Sequence, residues 1–258
     1  MTVCFDDHRR TLPRWPGRPY DGAVEHHGAA RVLPPPGAAG GDRADRGLPP
    51  VLGDYAVANA EVARLVAGRP DRLIGYACVH PVRDRLRIRT MVGRAVREWG
   101  FRGVKVHRLD APVSREVCEV VASFGVPLLY DVAGQPELLE QVAPEYPRVT
   151  FVVPHLGSFA DDWRAHQRLI DQLRRLPNVL ADTSGVRRFD YLVQAVRRAG
   201  PDRLVFGSDG PWLHPGLELE KIRLLGLGPA QEAQVCGETL RSLLRLQPPV
   251  ARLPVKTR

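Results

Sequence analysis

Six residues able to bind a metal or move a proton each close a short apolar run. LIGYACV leads into His80, VKV into His107, VPLLY into Asp131, TFVVP into His155, NVLA into Asp182 and LVFGS into Asp209. They are spaced by 27, 24, 24, 27 and 27 residues, the length of one strand, one helix and two loops. A parallel barrel puts the C-terminal ends of its strands on one face, so the six side chains would converge there. Imidazoles and carboxylates gathered in this way can ligate a divalent ion and act as acid or base.

Each residue also has a plainer reading. His155, in VPHLGSFADDW, suits a metal ligand because the nearby glycine lets the backbone turn away from the ion. Its alternative is a core histidine bonded to backbone. Asp209, in VFGSDGPW, can touch a metal and take a proton from water, or it can cap the turn after Pro211. Lys105 and His107 lie two apart on one strand and face the same side, with Val104 and Val106 facing the helices. A Lys–His pair suits an anionic substrate group, although Lys105 could instead pair with an aspartate on the barrel floor. Asp131 and Asp182 open the polar loops DVAG and DTSG as ligands, supports of a ligand, or loop caps. Arg187 or its neighbour Arg188 can fork onto a substrate carboxylate. His8 ends the short run VCFDDH, whereas His26 and His27 stand in an irregular stretch and carry little weight.

The elements that must position these residues alternate regularly from about residue 51. Helices are expected over 55–69, 83–99, 115–124, 136–146, 160–176, 189–199, 217–226 and 229–246. Ser114 caps one of them and Gly125 ends it. Between the helices lie short, wholly apolar strands, as in a parallel sheet covered on both faces. The pattern predicts an α/β fold, a (β/α)8 TIM barrel with an irregular or incomplete N-terminal part. The 258 residues divide into 1–50, the barrel at 51–250 and a tail at 251–258. Residues 9–50 hold eight Pro, seven Gly and seven Arg, and no helix or buried strand is legible in them.

Composition agrees with a soluble globular protein. Hydrophobic residues make up 44% and charged ones 26%. No apolar stretch reaches the ~20 residues of a membrane span, and the first residues lack the apolar core of a secretory signal. The four scattered cysteines read as reduced thiols in a cytoplasmic protein. A net charge of +8 raises nucleic acid as a partner, but only three of the 37 basic residues are lysines and the arginines sit beside acids on helices. A solvated helix surface explains them better. There is no GxGxxG after a strand, no GxxxxGK[ST] and no GxSxG, which disfavours nucleotide binding and serine-hydrolase chemistry.

The ordered set FRGVKVH, VPLLYDVAG, VPHLGSFADDW, NVLADTSG and VFGSDGPW resembles the amidohydrolase superfamily. The similarity is to its amidohydrolase-related branch, which includes aminocarboxymuconate-semialdehyde decarboxylase, and spans about residues 54–246. It implies a (β/α)8 barrel with one divalent ion, zinc for preference. That family carries His-x-His on the first barrel strand, His on the fifth and sixth, and Asp on the eighth. His8 matches the first of these, His155 the sixth-strand His and Asp209 the eighth-strand Asp. Arg10 stands at the second His position and cannot ligate, because guanidinium stays protonated. Asp131 stands near the fifth-strand His, and its oxygens can serve a hard cation.

The expected metal set is therefore His8, His155, Asp209 and Asp131. Asp209 and His155 would be catalytic, and Lys105, His107 and Arg187 would hold a small carboxylated substrate. The expected activity is hydrolysis by a metal-activated water. The alternatives are non-oxidative decarboxylation on the same scaffold and a ligand-binding barrel without its metal. Neither nucleic acid nor membrane is expected as a partner, and a homodimer is the assembly considered.

Overall fold

The computed structural model describes residues 53–210 and 212–246. Six parallel strands form one sheet: β1 (Tyr76–Cys78), β2 (Gly103–His107), β3 (Leu128–Asp131), β4 (Phe151–Val153), β5 (Val179–Asp182) and β6 (Leu204–Val205). Their spatial order is their order in the chain. That is the arrangement of six successive units of a parallel barrel. His8, Arg10, His26 and His27 lie outside the described residues.

Helices return the chain between strands: α1 (Tyr55–Gly68), α2 (Ile88–Arg97), α3 (Arg115–Phe124), α4 (Glu137–Val142), α5 (Trp163–Arg175) and α6 (Phe189–Ala199). α7 (Pro215–Arg223), α8 (Pro229–Ala233) and α9 (Thr239–Leu243) follow β6. α3 begins at Ser114, whose side chain accepts from Val117 N, and ends at Gly125 in the left-handed region, as expected. α2 starts later than its amphipathic pattern suggests. Asp84 accepts from His80 N and pairs with Arg87, so the preceding residues are spent on turns. The 229–246 segment is not one α-helix. A π turn over Gln234–Glu238 interrupts it, and the carbonyl of Val235 accepts from Phe206 N at the end of β6.

Alternation along the strands sorts side chains into two layers. Val104, Val106, Leu128, Tyr130, Phe151, Val153, Val179 and Ala181 pack under the helices, against Val117, Val121, Leu169 and Leu192. Each such fully buried aliphatic chain contributes roughly 1.5–3 kcal/mol. The other face holds Tyr76, Leu129, Val152, Leu180 and Val205, covered by Leu240 of α9 and by Leu244 just after it. Lys105 and His107 share a strand face opposite to that of Val104 and Val106. His107 lies in register with Asp131 across the β2–β3 ladder. Among the described residues, no helix is long and apolar enough to cross a membrane, and Cys78, Cys118 and Cys236 are free thiols.

Candidate active site

His155 follows β4 and is held in the left-handed region at φ 58, with Leu156 beside it at φ 47. Such a backbone costs of order 1 kcal/mol or more per residue and persists only where its surroundings impose it. Here they do. His155 N donates to Asp182 Oδ1 at 3.0 Å. The same oxygen accepts from Ser184 N at 2.9 Å and from Ser184 Oγ at 2.7 Å. One carboxylate oxygen thus gathers three donors from two successive strand ends. Gly207 makes room for it, because a Cβ there would lie 2.8 Å from Asp182 Cγ.

These bonds also set the tautomer of His155. Its Nδ1 lies 3.1 Å from the Ser184 carbonyl oxygen and 2.9 Å from Ser184 Oγ. The carbonyl can only accept, and the hydroxyl gives its own proton to Asp182. In the neutral ring Nδ1 therefore carries the hydrogen and Nε2 presents a bare lone pair. A backbone carbonyl on the distal nitrogen is the usual support of a metal-binding imidazole.

That lone pair faces Asp131, with 3.9 Å between Nε2 and Oδ2. The other oxygen of Asp131 accepts from Ala133 N at 2.9 Å. His107 Nδ1 accepts from Leu109 N at 3.1 Å, so its hydrogen is on Nε2, which donates to Asp131 Oδ2 at 3.2 Å. Burial raises the pKa of Asp131. The hydrogen bond from His107 and the charge of Lys105, joined by those of His107 and His155 when their rings are protonated, outweigh burial and hold it well below the usual carboxylate range. A bare nitrogen lone pair thus faces an ionised carboxylate, an arrangement that calls for a cation.

Asp209 lies four residues beyond β6, also in the left-handed region, at φ 50. Its Oδ1 is buried and has no hydrogen-bond partner among the described residues. The capping alternative therefore does not account for this oxygen. Burial raises its pKa to about 6; Asp182 adds to the rise, and the charge of Lys105, joined by that of His155 when its ring is protonated, opposes it. Lys105 is buried and acts electrostatically on both carboxylates.

In chemical type the donors suit a divalent ion: an imidazole nitrogen, an ionised carboxylate and an orphaned carboxylate oxygen. Among the described residues no group of three or more His, Cys, Asp or Glu is close enough to hold a metal unaided. His8 belongs to the segment outside them.

Of the residues expected from sequence, His107, Asp131 and His155 meet directly, and Lys105 and Asp209 act on them through charge. Arg187 is exposed, with its guanidinium 5.7 Å from the Phe159 ring centre. Phe159 in turn packs edge-on to His155 at 4.9 Å. Arg188 is engaged by Asp190 and Tyr191. His80 accepts from Val82 N and Arg83 N in its own loop, and Asp182 supports His155. Ser184, Phe159 and Glu218 are absent from the sequence reading. Ser184 stood in the quoted DTSG loop, and its spacing from Asp182 was the one available signal.

The amidohydrolase family model matches residues 6–246, and the chain belongs to that family. No curated protein matches it in sequence. Among solved structures it is similar to 2,6-dihydroxybenzoate decarboxylase from Rhizobium. Identity is 20% with a TM-score of 0.58, over 74% of this chain and 76% of that one. It is also similar to a dihydroxybenzoic acid decarboxylase from Polaromonas sp. JS666 with bound manganese and the inhibitor 2-nitroresorcinol. Identity there is 19% with a TM-score of 0.57, over 74% of each chain. A third is a TIM-barrel protein from Bordetella bronchiseptica, at 18% identity and TM-score 0.59 over 72% of each chain. The fold is thus the α/β barrel expected from the spacing of strand ends.

Proposed function

We propose that this chain is a divalent-metal-dependent enzyme that removes a carboxyl group, without oxidation, from a small unsaturated acid. The observation that carries the reading is a buried ammonium, Lys105, within electrostatic reach of two carboxyl groups, Asp131 and Asp209, the second with an Oδ1 that has no partner among the described residues. Decarboxylation breaks a carbon–carbon bond, leaves the electron pair on carbon and needs a proton delivered there. Lys105 offsets the charge of the substrate carboxylate inside the barrel, and Arg187 holds the substrate from the rim. Asp209 Oδ1 gives its proton to the vacated carbon as CO2 departs and regains one from solvent. His107 keeps Asp131 ionised and oriented.

His155, Asp131 and Asp209, with His8 from beyond the described residues, would hold the ion, which supplies a Lewis acid to the substrate. Sequence resemblance favours zinc. Two carboxylates beside one imidazole suit a harder ion, so manganese is proposed over zinc. The manganese of the Polaromonas enzyme supports that preference, and the two benzoate decarboxylases support carboxyl removal over hydrolysis.

Hydrolysis remains the second reading, favoured by the unpartnered Asp209 Oδ1, which can also accept a proton from water. Isotopes separate the two. With 2,6-dihydroxybenzoate and related hydroxybenzoates in D2O, decarboxylation puts one deuterium on the vacated carbon and releases CO2. A product that gains 18O from labelled water, with no CO2, would make the enzyme a hydrolase. Metal content after growth with added manganese or zinc should be about one ion per chain. A metal-free chain that still binds such acids would be a binding barrel.

A further inference from the structure

The peptide that supports His155 is gripped from its other end. The Ser184 carbonyl takes the His155 Nδ1 hydrogen at 3.1 Å. The N–H of the same peptide unit, on Gly185, donates to Glu218 Oε2 at 3.0 Å. Glu218 is buried on α7, and its Oε2 lies 2.7 Å from Lys221 Nζ. Lys221 reaches back to the Val186 carbonyl at 3.0 Å. The ion pair of buried Glu218 with half-buried Lys221 on one helix therefore clasps both sides of the loop that orients the imidazole. α7 is also the helix that follows the Asp209 loop, so the clasp ties the loop that orients His155 to the loop that bears Asp209.

The site requires glycine at 185. Its φ is +67, and an added Cβ would lie 2.8 Å from the Phe159 ring and 3.5 Å from His155 Nδ1. The close approach brings a charged hydrogen-bond acceptor within one peptide of the imidazole.

A carboxylate bonded to a peptide N–H polarises that peptide and strengthens its carbonyl as an acceptor, because successive hydrogen bonds reinforce one another. A stronger acceptor on Nδ1–H makes Nε2 a better electron donor. We propose that Glu218 is a positioning residue that tunes His155 through the Ser184–Gly185 peptide, raising the affinity of its Nε2 for a cation. This inference rests on the reading of His155 as a metal ligand.

The test uses the full chain and compares wild type with E218Q, E218A and E220Q. E218Q keeps an acceptor but loses the charge. E220Q alters an exposed ion pair with Arg223 on the same helix. Two quantities are measured: the Mn2+ dissociation constant by calorimetry, and, in metal-free protein, the 15N and 1H shifts of His155 Nδ1–H and the Gly185 amide. Manganese affinity is expected to fall about 3- to 10-fold in E218Q and about 10- to 100-fold in E218A, the range seen for groups that support metal ligands. Both resonances should move upfield in E218Q, while E220Q leaves affinity and shifts unchanged. A His155 Nδ1–H signal that stays in place in E218Q while the Gly185 amide moves overturns the relay. So does a movement of equal size in E220Q. If His155→Ala binds Mn2+ like wild type, the ligand assignment fails, and the metal-free shifts still decide whether Glu218 acts on His155.

Discussion

The loops after β4 and β6 present opposite solutions to one problem. Each holds a proposed ligand on a left-handed backbone, His155 at φ 58 and Asp209 at φ 50. Around His155, Nδ1 and the backbone N–H are engaged by Ser184 and Asp182, and Glu218 secures the peptide behind them. Around Asp209, Oδ1 is buried without a partner among the described residues, and burial keeps a proton on the group up to about pH 6. In the first loop the bonds that fix the direction of the ring are made before any ligand arrives. The second gives up stability that a cation or substrate would restore. A binding site needs both: one arm fixed in direction and one arm with an unmet demand.

Replacing the demanding arm should have the largest effect. Asp209→Asn is expected to lower turnover by ~10² or more, since the amide cannot carry the proton. The same change should stabilise the metal-free fold at neutral pH. The folded pKa of about 6 lies above the ordinary carboxylate value of 3.8. The native state therefore binds more protons between those values, and wild type loses stability as pH rises through that window. The two-unit shift, discounted because the group is partly exposed, corresponds to ~1–2 kcal/mol. Thermal unfolding in chelator should show Asp209→Asn above wild type at pH 7.5 and level with it near pH 4. A variant less stable than wild type at pH 7.5 would mean that Asp209 is satisfied after all.

Asp182→Ala attacks the satisfied arm. It strands three donors, His155 N, Ser184 N and Ser184 Oγ. Loss of about 3 kcal/mol is expected in urea unfolding, with Asp182→Asn milder because its amide oxygen can still accept. Equal stability of Asp182→Ala and wild type would remove Asp182 as the anchor. Gly185→Ala should cost about 1–2 kcal/mol from its left-handed φ, with Phe159 displaced from His155. Aromatic side-chain NMR would report that movement.

The smallest expected effect concerns Asp131. Its pKa in the folded chain is depressed by His107 and the nearby cations. Its contribution is present above about pH 4 and fades as pH falls below it. Asp131→Asn should therefore flatten the acid limb of the stability profile and leave the pH 7–9 limb unchanged. Identical acid limbs would show that His107 and Asp131 are not coupled.

Much of the frame was readable from the chain. Wholly apolar runs at a steady interval make parallel strands, and the residue closing each run falls on one rim because strand and helix periods are local properties. Ser114 and Gly125 bounded α3 for equally local reasons. Where the local signal failed, a distant group competed. α2 yielded its first residues to turns secured by Asp84, and the last helical stretch broke where Phe206 claimed the Val235 carbonyl.

The sequence by itself determined the barrel class, the six strand-end residues and the pairing of Lys105 with His107 on one face. Only the tertiary structure decided which of those residues carry a demand. Spacing treats Asp131, Asp182 and Asp209 alike. The fold makes the first an ionised neighbour of two histidines, the second a backbone anchor and the third a proton-retaining carboxyl group. The protonation of a side chain depends on burial and on charges brought in by other strands, and a hydrogen-bond direction depends on where loops from separate units meet. Neither quantity has a period along the chain.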